Sequence, residues 1–182
     1  MAWLEDGPQN DFKALDAGAG LTENHWYGTG ISYARDAYIA AGGMDETLTF
    51  GYEDAEFGRR LRQQGVRLVY RPELMLIHHH PYSMTTWRQR SERVGAAAAA
   101  MHCNRPSEPR LSPLATGPLW LALAAADSLL QASGRDWASA PDGVRRRIYG
   151  VSHLGAYARG YRRALRSIPP TPPLTQSRSR VS

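Results

Sequence analysis

The sequence predicts an α/β fold, and three observations support this prediction. Residues 25–33 read as a glycine-containing strand, and residues 66–70 and 74–78 read as a short β-rich pair. Residues 53–64 carry the clearest helical pattern in the chain, and Gly65 follows as a C-terminal stop. Helices and strands in this order are typical of α/β proteins, although these strands are too few for a complete doubly wound sheet.

The remaining segments read mainly as helices. Residues 11–16, 34–41, 85–103, 114–132 and 143–165 read as helices, and over residues 85–103 the apolar residues recur close to the helical period. The end of the chain is rich in proline, serine and arginine and lacks the apolar side chains that an ordered core requires, so we expect a flexible tail there. The sequence therefore divides into a loop region, an α/β region, a helical extension and this tail, over residues 1–24, 25–103, 104–167 and 168–182.

Composition places the chain among globular proteins. It has 182 residues, of which 42% are hydrophobic and 21% charged, and this is enough for one core of ordinary composition. Cys103 is the only cysteine, which excludes a disulfide-built fold and fits a reducing compartment. The first residues show neither the basic region nor the apolar run of a signal peptide. We therefore expect a cytoplasmic protein.

The formal net charge of +5 comes almost wholly from arginine, because Lys13 is the only lysine. A surplus of this size suits a nucleotide-sugar phosphate, an anionic membrane surface or nucleic acid, and a solvated arginine face is the simplest explanation. The most apolar stretch, residues 114–130, is too short to span a membrane and carries Asp127. It predicts a buried or interfacial helix, so contact with a membrane surface stays open.

An adjacent acidic pair, Glu53 and Asp54, opens the predicted helix of residues 53–64. Transfer of a group to a hydroxyl needs a carboxylate that removes the hydroxyl proton as the new bond forms, and a second acid can orient the acceptor. Free N–H groups and the positive end of the helix dipole also favour carboxylates here, which stabilises a helix by about 0.3–1 kcal/mol without any catalytic role. Taken alone, the pair favours this structural explanation.

A run of histidines ends the predicted strand of residues 74–78. Alternation along a strand would send His78 and His80 to one face and His79 to the other. Such a face can add an imidazole ligand to a divalent cation held mainly by oxygen atoms, or it can bind Zn²⁺ or Ni²⁺ by itself. A polar strand end without metal is the alternative.

Taken in order, these motifs resemble the C-terminal half of GT-A-fold glycosyltransferases, the large inverting family-two class and the related galactosyltransferase C-terminal region. Those enzymes carry a glycine-rich strand ending in serine, an arginine-containing helix, a Gly-Gly-Phe-Asp-Glu-like turn, an acidic helix start, an Arg-Leu pair before a glycine and a strand ending in histidine. The matching residues here are 30–32 with Arg35, 42–46 with Met44 in place of the usual aromatic, 53–57, 60–61 with Gly65, and His78.

The resemblance implies a partial GT-A fold with a helical C-terminal extension, and an inverting glycosyltransferase activity. It assigns Asp54 as the general base on the acceptor hydroxyl, Glu53 as the residue that orients the acceptor, and His78, or alternatively His80, as a metal ligand. It also implies a nucleotide-sugar donor with Mg²⁺ or Mn²⁺ on its diphosphate, and a carbohydrate or lipid-linked acceptor. The donor and acceptor cleft would be lined by Tyr27, Gly28, Gly30, Ser32 and Tyr52.

The family's N-terminal nucleotide-binding half, with its Asp-x-Asp metal motif, has no counterpart in this sequence. We therefore expect a fragment, a chain with a wrongly assigned start, a split enzyme whose partner chain supplies that half, or a degenerate relative. The predicted function is transfer of a sugar from a nucleotide-sugar to a hydroxyl. The alternatives are a non-catalytic or partner-dependent binding protein of the same fold, and a basic protein that binds a membrane or nucleic-acid surface, with nucleic acid the less favoured.

Overall fold

The computed structural model describes residues 12–22, 25–48, 50–77, 83–104, 118–137 and 139–167. Within those ranges α-helices form and no strand does. Short helices occupy the N-terminal part and longer ones the C-terminal part. They are α1 (Phe12–Asp16), α2 (Arg35–Ala40), α3 (Glu53–Gln63), α4 (Met84–Asn104), α5 (Leu119–Ala132) and α6 (Asp142–Ser167).

The predicted α/β fold, and with it the partial GT-A fold, is wrong, because the predicted strands do not form in the described residues. Residues 25–33 make tight turns instead, in which the Tyr27 N–H bonds to the His25 carbonyl and the Gly30 N–H bonds to the Tyr27 carbonyl, each at 3.0 Å. Residues 66–77 are likewise irregular. A β-rich sequence expresses only a local preference, whereas a strand also needs a second backbone with which to pair.

The helical predictions are confirmed wherever the structure describes them. Helices α2, α3, α4 and α6 lie within two residues of the predicted ranges at either end, and α1 and α5 end at the predicted residues. The predictions of α3 and α4 rest on apolar residues that recur at the helical period, a pattern that depends little on the rest of the fold.

The N-terminal core lies between α2, α3 and the turns of residues 25–33. Phe57 and Leu61, one turn apart on α3, are buried against Trp26 and Ala41. Gly58 permits the close approach of Trp26, because a Cβ at this position would lie 2.6 Å from the Trp26 Cδ2 atom. The amphipathic face predicted for α3 is therefore the face that packs.

The C-terminal helices form a bundle in which α6 packs against both α4 and α5. Glycines bring α4 and α6 into backbone contact. A Cβ on Gly160 would lie 2.7 Å from the carbonyl carbon of Glu92, and a Cβ on Gly95 would lie 2.9 Å from that of Tyr157. These distances leave no room for a side chain, so the spacing of the two helices depends on both glycines.

Aromatic side chains at four-residue intervals on α6 fill the seam with α4. Tyr149, His153, Tyr157 and Tyr161 follow one another along this face, and Trp87 of α4 lies beside the first two, with ring centroids 6.0 and 5.7 Å away. The Trp87 indole N–H donates to the Tyr149 carbonyl at 2.9 Å. Burial and the nearby charge of Arg90 lower the pKa of His153, which is therefore neutral at pH 7.

A buried carboxylate on α5, that of Asp127, joins the three helices of the bundle. Arg88 of α4 donates to its Oδ1 atom at 2.7 Å, and Ser152 of α6 donates to the same atom at 2.6 Å. Arg159 of α6 binds its Oδ2 atom and also donates to Glu92 of α4 at 3.2 Å. Burial raises the pKa of Asp127, but the hydrogen bonds from Ser152 and the two arginines outweigh burial and hold the pKa below its ordinary value.

Two glycines on α6 provide a matched test of the α4–α6 contact. Gly160→Ala should lower the free energy of unfolding by about 1–3 kcal/mol, because the new methyl group overlaps the Glu92 backbone. Gly150→Ala should raise it by up to about 1 kcal/mol, because no described atom outside the local helix backbone lies within 4 Å of that Cβ and alanine favours helix. Urea denaturation followed by circular dichroism measures both. Equal effects of the two substitutions would contradict the close crossing.

The Asp127 network predicts a specific loss of stability in acid. Because the pKa of Asp127 is lower in the folded chain than in the unfolded chain, this stabilisation is present above about pH 4 and is lost as the pH falls through the folded-state pKa. Asp127→Asn removes the carboxylate that Arg88 binds and one of the two carboxylates that Arg159 binds, and it should lower stability at pH 7 by about 3–5 kcal/mol. Urea midpoints measured against pH should fall less steeply in acid for the variant. Identical slopes would show that Asp127 is not the titrating group.

Candidate functional site

The acidic pair begins α3 directly after two residues with left-handed backbone conformation. Gly51 has a φ of 85° and Tyr52 a φ of 67°. Tyr52 is the one non-glycine residue with positive φ in the described part of the chain, and for a residue with a Cβ this conformation costs about 1–3 kcal/mol. Such strain persists only where surrounding contacts hold the residue in place.

The contacts that hold this turn come from the C-terminal bundle. The Tyr52 hydroxyl lies 3.3 Å from the hydroxyl of Tyr157 on α6. The Arg93 guanidinium of α4 lies over the ring of Phe50, 4.2 Å from its centroid. Burial raises the pKa of both tyrosines, so both hydroxyls are protonated at neutral pH and one donates to the other. The start of α3 is therefore fixed to α4 and α6.

Asp54 connects α3 to the turn at Gly28. Its Oδ2 atom accepts the Gly28 N–H at 3.1 Å, and its Oδ1 atom accepts the Ala55 N–H at 2.8 Å. The structure thus brings together two of the predicted site residues that are 26 positions apart in the sequence. A carboxylate oxygen has two lone pairs, so each oxygen of Asp54 retains the capacity to accept a hydrogen bond from a hydroxyl group.

Glu53 carries an unused acceptor. Its Oε2 atom is buried and has no hydrogen-bond partner among the described residues, although the residue as a whole is half-buried. A buried polar atom without a partner is uncommon in folded proteins and calls for an explanation such as a bound molecule. The two acids thus differ: Asp54 is held by backbone N–H groups, and Glu53 has an acceptor to offer.

Sequence reasoning assigned no role to Glu56, which the structure shows to be a fully buried carboxylate. Arg60 donates to it through Nε at 2.9 Å and through Nη2 at 2.8 Å. The same guanidinium binds the carbonyl of Ala41 and, at 2.6 Å, that of Gly43, where α2 ends. The four-residue spacing of Glu56 and Arg60 signals a helical ion pair, but their burial depends on the α2 turn, which lies elsewhere in the chain.

The other predicted lining residues lie near the Gly28 turn. The ring of Tyr27 meets the ring of Phe12 edge-on, with centroids 5.4 Å apart. A Cβ on Gly30 would lie 3.3 Å from a methyl carbon of Leu76, so the Leu76 side chain lies close to this glycine. Ser32 is exposed. A role for these residues in lining a cleft stays a prediction.

The predicted metal site has no complete ligand set in the described residues, where no group of at least 3 His, Cys, Asp or Glu side chains is placed to hold a metal ion. Mg²⁺ is usually held by one or two carboxylates together with waters and substrate phosphates. The binding of Mg²⁺ or Mn²⁺ therefore stays a prediction. His78 and His80 lie outside the described residues, and their role as ligands stays a prediction.

Comparisons with protein-family models, with curated proteins and with solved structures find no match to this chain. No relative therefore assigns a role to Glu53 or Asp54. The chemistry of the site follows from the contacts, charge and burial of its own residues.

The buried ion pair of α3 can be tested by substitutions that keep the positive charge. Arg60→Lys should lower the free energy of unfolding by about 1–3 kcal/mol, because an ammonium group cannot bind Glu56 and the Ala41 and Gly43 carbonyls together. Arg62→Lys, at an exposed position of the same helix, should change it by less than about 0.5 kcal/mol. Urea denaturation measures both, and equal effects would refute the anchoring role of Arg60.

Proposed function

We propose that the chain is a glycosyltransferase that moves a sugar from a nucleotide-sugar donor to an acceptor hydroxyl with inversion. Asp54 is the general base, and Glu53 orients the acceptor. The observation that carries the proposal is the Asp54–Gly28 hydrogen bond, which joins the acidic helix start to the glycine-containing turn that precedes it in the ordered series of motifs. The rest of that series, which the sequence resemblance supplies, supports the same activity.

The reaction needs a charged carboxylate beside the acceptor. As the acceptor oxygen bonds to the anomeric carbon, Asp54 takes the hydroxyl proton, and the bond from the anomeric carbon to the diphosphate oxygen breaks with its electrons going to the diphosphate. The first turn of α3 places the Asp54 carboxylate at the positive end of the helix dipole. The Gly28 and Ala55 N–H groups fix the carboxylate orientation before the acceptor arrives.

Glu53 suits the orienting role because its Oε2 atom has no partner in the described structure. A second acceptor hydroxyl can donate to this atom while Asp54 removes the proton from the reacting one. The Tyr52 turn, which contacts Tyr157, connects both carboxylates to the bundle.

The donor is an anionic nucleotide-sugar, which suits the net charge of +5. The resemblance alone implies that Mg²⁺ or Mn²⁺ binds with the donor, and no step of the reaction is assigned to the metal. A partner chain that contributes to the nucleotide site is compatible with the proposed roles of Glu53 and Asp54, since both act on the acceptor.

A non-catalytic binding protein is the second candidate function. The hydrogen bonds that Asp54 accepts from two backbone N–H groups favour this candidate. A carboxylate held in this way also serves as a structural link between α3 and the Gly28 turn. This candidate predicts ligand binding without turnover. It also predicts that removal of the Asp54 charge changes stability alone.

Asp54→Asn separates the two candidates, because the amide oxygen of asparagine can still accept the Gly28 N–H but cannot take a proton. Release of UDP or GDP from UDP-glucose, UDP-galactose and GDP-mannose should be measured with alkyl glycosides as acceptors and with Mn²⁺ present. The substitution should lower the rate by about 10²–10⁴-fold and leave nucleotide affinity unchanged. Glu53→Gln should mainly raise KM for the glycoside.

Asp36→Asn is the matched control, because Asp36 occupies the second position of α2 as Asp54 does in α3. It removes a helix-dipole interaction of the same kind and should leave the transfer rate unchanged. Equal rates for Asp54→Asn and the unmodified chain would refute the proposed base. Absence of nucleotide release by the unmodified chain with every donor would favour the binding protein.

A further inference from the structure

Four consecutive large apolar residues are exposed in the segment that follows α3. They are Leu74, Met75, Leu76 and Ile77, and their exposed fractions are 75%, 81%, 69% and 77%. We call these four residues the exposed segment. Single exposed apolar residues are ordinary at a protein surface, whereas a contiguous apolar patch marks a contact with another molecule. The exposed segment is therefore a candidate interaction surface.

The backbone of the exposed segment also lacks partners. Residues 75–77 continue without a turn or bend, and their N–H and carbonyl groups make no hydrogen bond within the described parts of the chain. Backbone donors and acceptors need partners once water is excluded from them. A molecule that covers the apolar side chains must therefore also bind the backbone.

A second β-strand satisfies both requirements. A row of unpaired N–H and carbonyl groups pairs readily with another extended chain. A lipid bilayer would cover the side chains but leave the backbone without hydrogen bonds, and a helix uses its own backbone groups internally. The β-rich sequence of the exposed segment favours a strand as soon as a second backbone is present.

We propose that the exposed segment pairs with the same segment of a second copy of the chain, antiparallel and around a two-fold axis. One residue then lies opposite its own copy. With Met75 on the axis, Leu74 lies opposite Leu76. With Leu76 on the axis, Met75 lies opposite Ile77. These pairs are apolar in both registers, so the segment is complementary to itself. This inference does not depend on the proposed function.

The charges beside the exposed segment do not oppose this contact, although the whole chain carries a net charge of +5. Arg71 and Glu73 directly precede the segment, with their charged atoms 4.0 Å apart and both side chains 64% exposed. Opposite charges this close offset each other, so two copies meet here without the repulsion that like charges cause across an interface.

Sedimentation velocity of the full chain over a range of concentrations tests the proposal. The sedimenting species should change from one chain to two as the concentration rises. Leu74→Gln with Ile77→Gln keeps the backbone groups but removes apolar side chains, and it should raise the dimer dissociation constant at least about tenfold. Leu121→Gln with Leu129→Gln, at residues of α5 that are 59% and 72% exposed, is the matched control and should leave the constant unchanged.

Proline substitutions distinguish strand pairing from a general apolar contact. Adjacent N–H groups of a strand point to opposite edges, so only one of Met75 and Leu76 donates to the second copy. Proline lacks this donor. One of Met75→Pro and Leu76→Pro should therefore raise the dissociation constant at least about tenfold, and the other should raise it much less. Circular dichroism verifies that each variant is folded.

A cysteine on the two-fold axis should form a disulfide with its own copy. In a chain that also carries Cys103→Ser, oxidation should cross-link Met75→Cys or Leu76→Cys, and should cross-link Leu129→Cys much less. A monomer at every concentration, equal effects of the two proline substitutions, or an equal loss in the α5 control would overturn the proposal. A monomer that sediments with phosphatidylcholine vesicles would also overturn it, because lipid would then cover the segment.

Discussion

A buried ion pair within α3 determines how the N-terminal half of the described structure is arranged. Glu56 has no exposure to solvent, and Arg60 balances its charge while binding the carbonyls of Ala41 and Gly43. Rotation of α3 would keep this pair, because both residues lie on the helix, but it would break the hydrogen bonds from Arg60 to the two carbonyls. A buried acceptor left without a donor costs about 1–3 kcal/mol, so rotation of α3 is disfavoured. Glu53 and Asp54 lie within one turn of this pair, and their direction is fixed with it.

The candidate site depends on the C-terminal bundle for its support. Tyr52 reaches α6 through Tyr157, and α5 reaches α6 through the buried Asp127 network. The position of the acidic pair therefore depends on the packing of the helices around α6.

Local pattern predicted the helices because their apolar period, such as the spacing of Phe57 and Leu61, is set within each segment. The strand predicted for residues 66–70 does not form, since a β-rich sequence becomes a strand only when another backbone pairs with it. The sequence analysis also missed the role of Glu56, because the groups that bury this acid lie in the α2 turn. Asp127 read as an interruption of an apolar stretch, whereas its arginine partners lie on two other helices.

Calorimetric titration of the full chain with UDP and with GDP, each in the presence and absence of Mn²⁺, tests the glycosyltransferase proposal most directly. The proposal predicts Mn²⁺-dependent binding of at least one nucleotide. It also predicts that Asp54→Asn retains this affinity, because Asp54 acts on the acceptor and not on the donor. Absence of binding by both nucleotides under both conditions would contradict the claim that this chain transfers a sugar by itself.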